Sequence, residues 1–206
     1  MIVLASASPR RRVLLQQAGV RFEVEAADVA EQIAADADPE AAAVELASRK
    51  ARAVMERHAN EEVWVVGADT IVAVPLANDA EGPWRLLGKP ADEAEAAGML
   101  AVLSGTRHRV VTGVCVGRCA DGELASATEV TRVTMRAITP EEVEAYVASG
   151  EWRDKAGGYA IQETADVFVT GLSGGGFDNV VGLPVGLTLS LLRRLGAPLA
   201  GGPGRG

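Results

Sequence analysis

The sequence predicts an α/β fold with a mixed sheet and flanking helices, set as two lobes around a cleft. Three observations carry this. Short apolar runs alternate with helix patterns, beginning at residues 2–5 (IVLA) and 63–67 (VWVVG). Two Val- and Thr-rich stretches, 107–119 and 123–137, flank Asp121-Gly122, the signal of an antiparallel hairpin. The 206 residues are 48% hydrophobic and 23% charged, which is ordinary for a globular domain and incompatible with wholesale disorder.

After the first apolar run, Ser8 reads as an N-cap with Pro9 at the first helical position. Leu14, Leu15 and Ala18 give that helix its apolar stripe, and Gly19 suits its stop. Asp38-Pro39 opens a long second helix to about His58, with Ala42, Leu46, Ala53 and Val54 among its apolar positions. The strand at 63–67 is expected to end at Asp69-Thr70, with 71–74 able to extend it. Residues 75–90, rich in Pro and Gly, are expected as a loop or hairpin. Asp92 to Leu103 is a helix pattern stopped by Gly105. Thr139-Pro140-Glu141-Glu142 fits a capping box, and Gly150 ends that helix. From 154 to 184 the chain is Gly-rich, with a short strand expected at 166–170. Pro184 to Leu195 is the final helix, stopped by Gly196. With no repeat and no linker, residues 1–196 read as one domain and 197–206 as a disordered tail.

Composition excludes several functions. With 28 acidic and 20 basic residues the net charge is −8, which disfavours a nucleic-acid polymer as partner but leaves room for a small phosphorylated ligand. No apolar run is long enough to span a membrane, and the N-terminus lacks the pattern of a signal peptide. Cys115 and Cys119, if on one strand, stand about 13 Å apart, too far for a disulfide. Two reduced interior thiols fit a cytoplasmic protein. There is no GxxxxGK[ST] loop and no HExxH. Of the two histidines, His58 is expected at the solvent near a helix end and His108 on a strand face.

Four clusters can carry chemistry. The first is Ser6-Ala7-Ser8-Pro9-Arg10-Arg11-Arg12. Three arginines in the first turn oppose the helix dipole unless an anion sits there; the alternative is a solvated basic turn paired with carboxylates. The second is Asp69, which can hold a divalent cation, take a proton from water, or merely cap the turn after a strand. The third is Lys50 and Lys89, phosphate ligands or solvated surface. The fourth is Asp154 to Gln162 (DKAGGYAIQ), whose paired glycines allow close ligand approach and whose Gln162 could read a base edge.

Seven motifs in order, LASASPRRR (4–12), SRKA (48–51), VVGADTIV (65–72), LGKP (87–90), SGTRHRVVTGV (104–114), DKAGGYAIQ (154–162) and NVVGLP (179–184), resemble the Maf family of nucleotide pyrophosphatases. The resemblance implies a fold related to the inosine-triphosphate pyrophosphatases. It implies hydrolysis of nucleoside triphosphates to monophosphate and pyrophosphate with a divalent metal, Mg²⁺ or Mn²⁺. Asp69 matches the catalytic proton acceptor. Arg10, Thr70 and Gln162 match positions tied to substrate choice, and Ser6, Ser8, Arg11, Lys50 and Lys89 match the phosphate site. Glu31 is the best match to a site glutamate, so that Asp69 and Glu31 are the metal candidates. The DKAGGYAIQ form resembles the dTTP/UTP subgroup. The rival readings are a pyrophosphatase for modified nucleotides such as 7-methyl-GTP or ITP, and a non-catalytic regulator of septum formation. Relatives are often homodimers. Where the subgroup often carries a Gly-Ser-Tyr-type segment, this chain has Gly175-Gly176-Phe177-Asp178, so Phe177 offers a ring without a hydroxyl. In a helix Arg12 points about 200° from Arg10 and is expected to face solvent.

Overall fold

The computed structural model describes residues 1–34, 37–76 and 83–199. Seven strands form one mixed sheet in the order β2-β1-β3-β5-β6-β7, with β4 pairing β3. These are β1 (Ile2–Leu4), β2 (Glu23–Val24), β3 (Trp64–Pro75), β4 (Trp84–Leu87), β5 (Arg107–Arg118), β6 (Leu124–Met135) and β7 (Val169–Ser173). The helices are α1 (Pro9–Gln17), α2 (Pro39–Met55), α3 (Glu93–Leu103), α4 (Pro140–Ser149), α5 (Phe177–Val181) and α6 (Val185–Arg194).

The local signals act as expected at most boundaries. Ser8 and Asp38 cap α1 and α2 through their side chains, each with a proline in the first turn. Asp92 caps α3, and Thr139 with Glu142 closes the capping box of α4. Gly150 ends α4 in the left-handed conformation. Asp121 and Gly122 lie in the turn between the antiparallel β5 and β6. Both cysteines are free and buried.

Three expectations change. First, β3 does not end at Asp69-Thr70; it pairs with β5 residue by residue from Trp64↔Arg118 to Ala73↔Arg109. A ladder partner on that side carries the backbone straight through the polar pair. Second, the strand at 166–170 lies three residues later, because Thr164–Phe168 winds as a 3₁₀-helix that buries Ala165 and Phe168. Third, the core continues past Gly196: Ala197 and Leu199 pack on it, while 200–206 of the expected tail lie outside the described residues.

The long strands join two cores. At one end Trp64, Val66, Ala68, Val114 and Val116 pack with Leu15 of α1 and Leu192 of α6. At the other, Val72, Val74, Val110 and Val133 pack with Leu100 of α3 and Tyr146 of α4. Helix α2 covers the opposite face of β3 and β5. On the free side of β3, β1 pairs only as far as Val66 and β4 begins only at Val72. Among the described residues, positions 67–71 of β3 therefore have a ladder partner on the β5 side alone. This gap lies between the two cores and beyond the carboxyl end of β1, the place where α/β sheets bind ligands.

Candidate active site

A cavity of about 1070 Å³ opens at this gap, and the ten residues that the resemblance matched to a catalytic, phosphate, specificity or metal role all line it. Asp69 and Thr70 come from its middle. Strand alternation sends them to opposite faces. Asp69 shares the α2 face with Ile71, while Thr70 shares the other face with Val72.

Helix α2 approaches the Asp69 face unusually closely, because glycine stands beneath it twice. A Cβ on Gly67 would stand 2.2 Å from the Ala47 carbonyl oxygen, and one on Gly113 would stand 2.3 Å from the Ala43 backbone. Gly113 is the register partner of Asp69. The close contact brings Lys50 of α2 to the carboxylate. Lys50 and Asp69 are 7% and 8% exposed, and the Lys50 ammonium donates to Asp69 Oδ1. Nearly full burial disfavours the solvated-surface reading for Lys50, and a position inside β3 disfavours the turn-cap reading for Asp69.

Glu31 closes the cluster. Its Oε1 lies 2.6 Å from Lys50 Nζ and its Oε2 accepts from Lys89 Nζ at 2.9 Å. Desolvation pushes the Glu31 carboxyl up, but the hydrogen bonds and charges of Lys50 and Lys89 outweigh it and hold it at about 2. The segment carrying Glu31 has no regular structure; Arg49 of α2 holds it by donating to the Gln32 and Ala30 carbonyls.

The other wall is the start of α1. Ser6 Oγ accepts from the Ser8 amide and Ser8 Oγ from the Arg11 amide, so each hydroxyl keeps its proton for donation. Arg11 turns inward. It donates to the Gly182 carbonyl at 2.7 Å, to Thr70 Oγ1 at 3.1 Å and to Ser6 Oγ at 3.4 Å. Burial lowers its pKa, partly offset by Asp69 and Glu31. Arg10 reaches across the mouth to the Asp154 carbonyl at 3.3 Å. Arg12 is exposed and does not line the cavity. Basic residues that oppose the helix dipole thus serve the cavity in two cases of three.

The Gly-rich segment forms the rim. Gln162 is exposed there, and Tyr159 lies beneath with its hydroxyl 2.8 Å from His108 Nε2. His108 is buried, and burial holds its pKa at about 4. Phe177 does not supply a ring to the cavity: it starts α5, is 46% exposed and lies outside the lining. His58 is held between Glu25 and Glu61 rather than free in solvent.

The donor set also bears on a metal. Among the described residues no group of three or more His, Cys, Asp or Glu is placed to hold an ion. Two carboxylates, Asp69 and Glu31, do converge on one cation, the Lys50 ammonium. One or two carboxylates with substrate oxygens is the usual setting of Mg²⁺, which binds few protein ligands. Asp69 and Glu31 fit a hard divalent ion shared with phosphate.

A family model described as Maf-like protein matches residues 1–195. The chain belongs to the Maf family. Two Maf relatives, each named dTTP/UTP pyrophosphatase, come from Koribacter versatilis and Myxococcus xanthus. The first is 47% identical over 195 residues, covering 95% of this chain and 94% of the relative. The second is 47% identical over 199 residues, covering 97% and 94%. Among solved structures, a HAM1 protein from Coxiella burnetii is 16% identical, with a TM-score of 0.39, over 65% of this chain and 72% of that one.

Sequence reasoning gave no role to Thr112 or Asn179, both fully buried behind Thr70. Only the pairing of β5 with β3 brings them into view, because it sets Thr112 directly opposite Thr70.

Proposed function

We propose that this Maf protein hydrolyses nucleoside triphosphates, dTTP and UTP first among them, to nucleoside monophosphate and pyrophosphate. The observation that carries the reading is the buried Asp69 carboxylate set beside Lys50, with Arg10, Arg11 and Lys89 around the same cavity. The relatives' names support the substrate pair.

In this reading Arg10, Arg11, Lys50 and Lys89 bind the triphosphate, with Ser6 and Ser8 donating hydroxyl protons to it. The arriving phosphates take over Lys50 and Lys89 from Glu31. Removing the tail from water among fixed cations favours charge developing on the leaving pyrophosphate. Asp69 accepts the proton of the water that attacks the α-phosphorus. One P–O bond forms to water oxygen, the bond to the bridging oxygen breaks, and pyrophosphate departs with that oxygen. A divalent ion, when bound by Asp69 and Glu31, supplies further neutralisation of phosphate charge. Gln162, at the rim, offers a donor and an acceptor for a pyrimidine edge. Thr70 contributes to substrate choice from beneath Arg11.

The enzyme is proposed to be a cytoplasmic homodimer built on one domain. Free, buried cysteines suit a reducing compartment; sedimentation tests the dimer. No helix among the described residues is long and apolar enough to cross a membrane.

The test is a panel of dTTP, UTP, CTP, ITP and 7-methyl-GTP, with Mg²⁺, with Mn²⁺ and with chelator, scored for pyrophosphate. Preferential release from dTTP and UTP is expected. Preference for 7-methyl-GTP or ITP would overturn the base assignment, and no release from any would overturn the reaction.

A further inference from the structure

We propose that Thr112 is a positioning residue. It fixes the guanidinium of Arg11 through a one-way chain of hydroxyl hydrogen bonds. Each threonine hydroxyl has a single proton to donate. Thr112 Oγ1 lies 2.9 Å from the Asn179 carbonyl oxygen, which can only accept. The single hydroxyl proton of Thr112 is therefore used there. Thr112 Oγ1 also lies 3.0 Å from Thr70 Oγ1, so in that contact Thr112 must accept and Thr70 must donate. Thr70 has then used its own proton, and its oxygen faces Arg11 Nη2 as an acceptor at 3.1 Å. The chain runs from Arg11 to Thr70 to Thr112 to the Asn179 carbonyl, each link with one allowed direction.

Both ends rest on one segment. The Gly182 carbonyl accepts from Arg11 Nε at 2.7 Å, and Gly182 holds φ +121°, a backbone conformation that side chains disfavour. A Cβ there would stand 3.3 Å from Thr70 Oγ1. Asn179 is itself pinned, its amide donating to the Val110 carbonyl and to Thr131 Oγ1. Thr112, Thr131 and Asn179 are all fully buried, so no water competes at that end of the chain, while Thr70 and Arg11 are half-buried where it meets the cavity. A fully directed relay anchored at a buried end costs mobility at Arg11, and a guanidinium fixed in plane suits bidentate anion binding. Thr70 consequently acts on the ligand through Arg11 rather than by donating to it.

This rests on the reading of the cavity as a triphosphate site, so the test reads binding without catalysis. Inorganic tripolyphosphate is titrated calorimetrically into the wild type, T112V, T112S, T70V and T70V/T112V, with thermal melts as folding controls. Loss of the relay is expected to weaken binding about tenfold in T112V, the loss of one hydrogen bond that orients a charged group. T112S keeps the proton chain and is expected to bind within about twofold of wild type. The double variant is expected to bind no more weakly than the weaker single variant, since both break one chain. If T112V does not fold, T112C, with its weak S–H, takes its place. Binding by T112V or T112C equal to wild type, additive losses in the double variant, or equal losses in T112S and T112V would each overturn the relay alone. A wild type that does not bind tripolyphosphate overturns the site reading and the relay with it.

Discussion

The ammonium of Lys50 donates to the carboxylate of Asp69 across the contact between helix α2 and strand β3, and both residues are buried. Neither partner could be held there alone, because an unpaired buried charge is costly. The pair exists because two glycines let the helix backbone touch the sheet.

The first prediction concerns that contact. In G67A or G113A the new methyl meets helix backbone at 2.2–2.3 Å, and backbone cannot swing aside. Overpacking of this kind is expected to cost about 3 kcal/mol or more. Chemical denaturation measures it. Stability equal to wild type would mean that α2 sits farther from β3 than described.

Arginine 11 and its neighbour give the second. R11M should raise KM for dTTP about tenfold to a hundredfold, the range for lost hydrogen bonds to charged groups. R12A, which removes an exposed arginine outside the cavity, should leave KM within about twofold. Steady-state kinetics of the two variants check this, and equal effects would contradict the placement of α1.

Acid stability gives the third. The Glu31 pKa is depressed from 4.5 to about 2. The unfolded chain therefore binds the proton first, and the contribution of Glu31, complete above 4.5, is lost as pH falls towards 2. E31Q should flatten the melting temperature across that window. Since Glu31 is partly exposed, salt should shrink the difference. An unchanged acid slope in E31Q would show that Lys50 and Lys89 do not hold it.

The two histidines should pull in opposite directions. Burial lowers His108 from 6.5 to about 4, so its contribution is full above 6.5 and is lost as pH falls towards 4, by about 3 kcal/mol in total. Glu25 first, and then Glu61, raise the His58 pKa, so its contribution is full below 6.5 and is lost as pH rises through the raised value. H108Q should lose the slope between pH 6.5 and 4, and H58Q the decline above 6.5. Melting curves across pH read both, and parallel profiles for the two variants would contradict the assignments.

Much of this was legible in the sequence because caps, turns and hairpins act over four or five residues. Ser8, Asp38, Asp92 and Thr139 each start a helix where their side chains alone dictate. The motifs contain nine of the ten matched residues that line one cavity, and Glu31, outside every motif, lines it as the tenth. What was hidden depends on partners far along the chain. Asp69-Thr70 looks like a strand end until β5 pairs with it, Thr112 standing 42 positions along the chain from Thr70, and only that register exposes the bond from Thr70 to Thr112. Ala165 and Phe168 are buried while Asp166 and Val167 between them are exposed, a three-residue spacing that a strand reading of 166–170 could not anticipate.

The most direct test of the account is pyrophosphate release from dTTP by the wild type and D69N, measured with saturating Mg²⁺ and with melts as control. The account predicts one pyrophosphate per dTMP from the wild type. It predicts a folded D69N slower by about a hundredfold or more, the scale of a lost general base. A folded D69N that turns over like the wild type would contradict it.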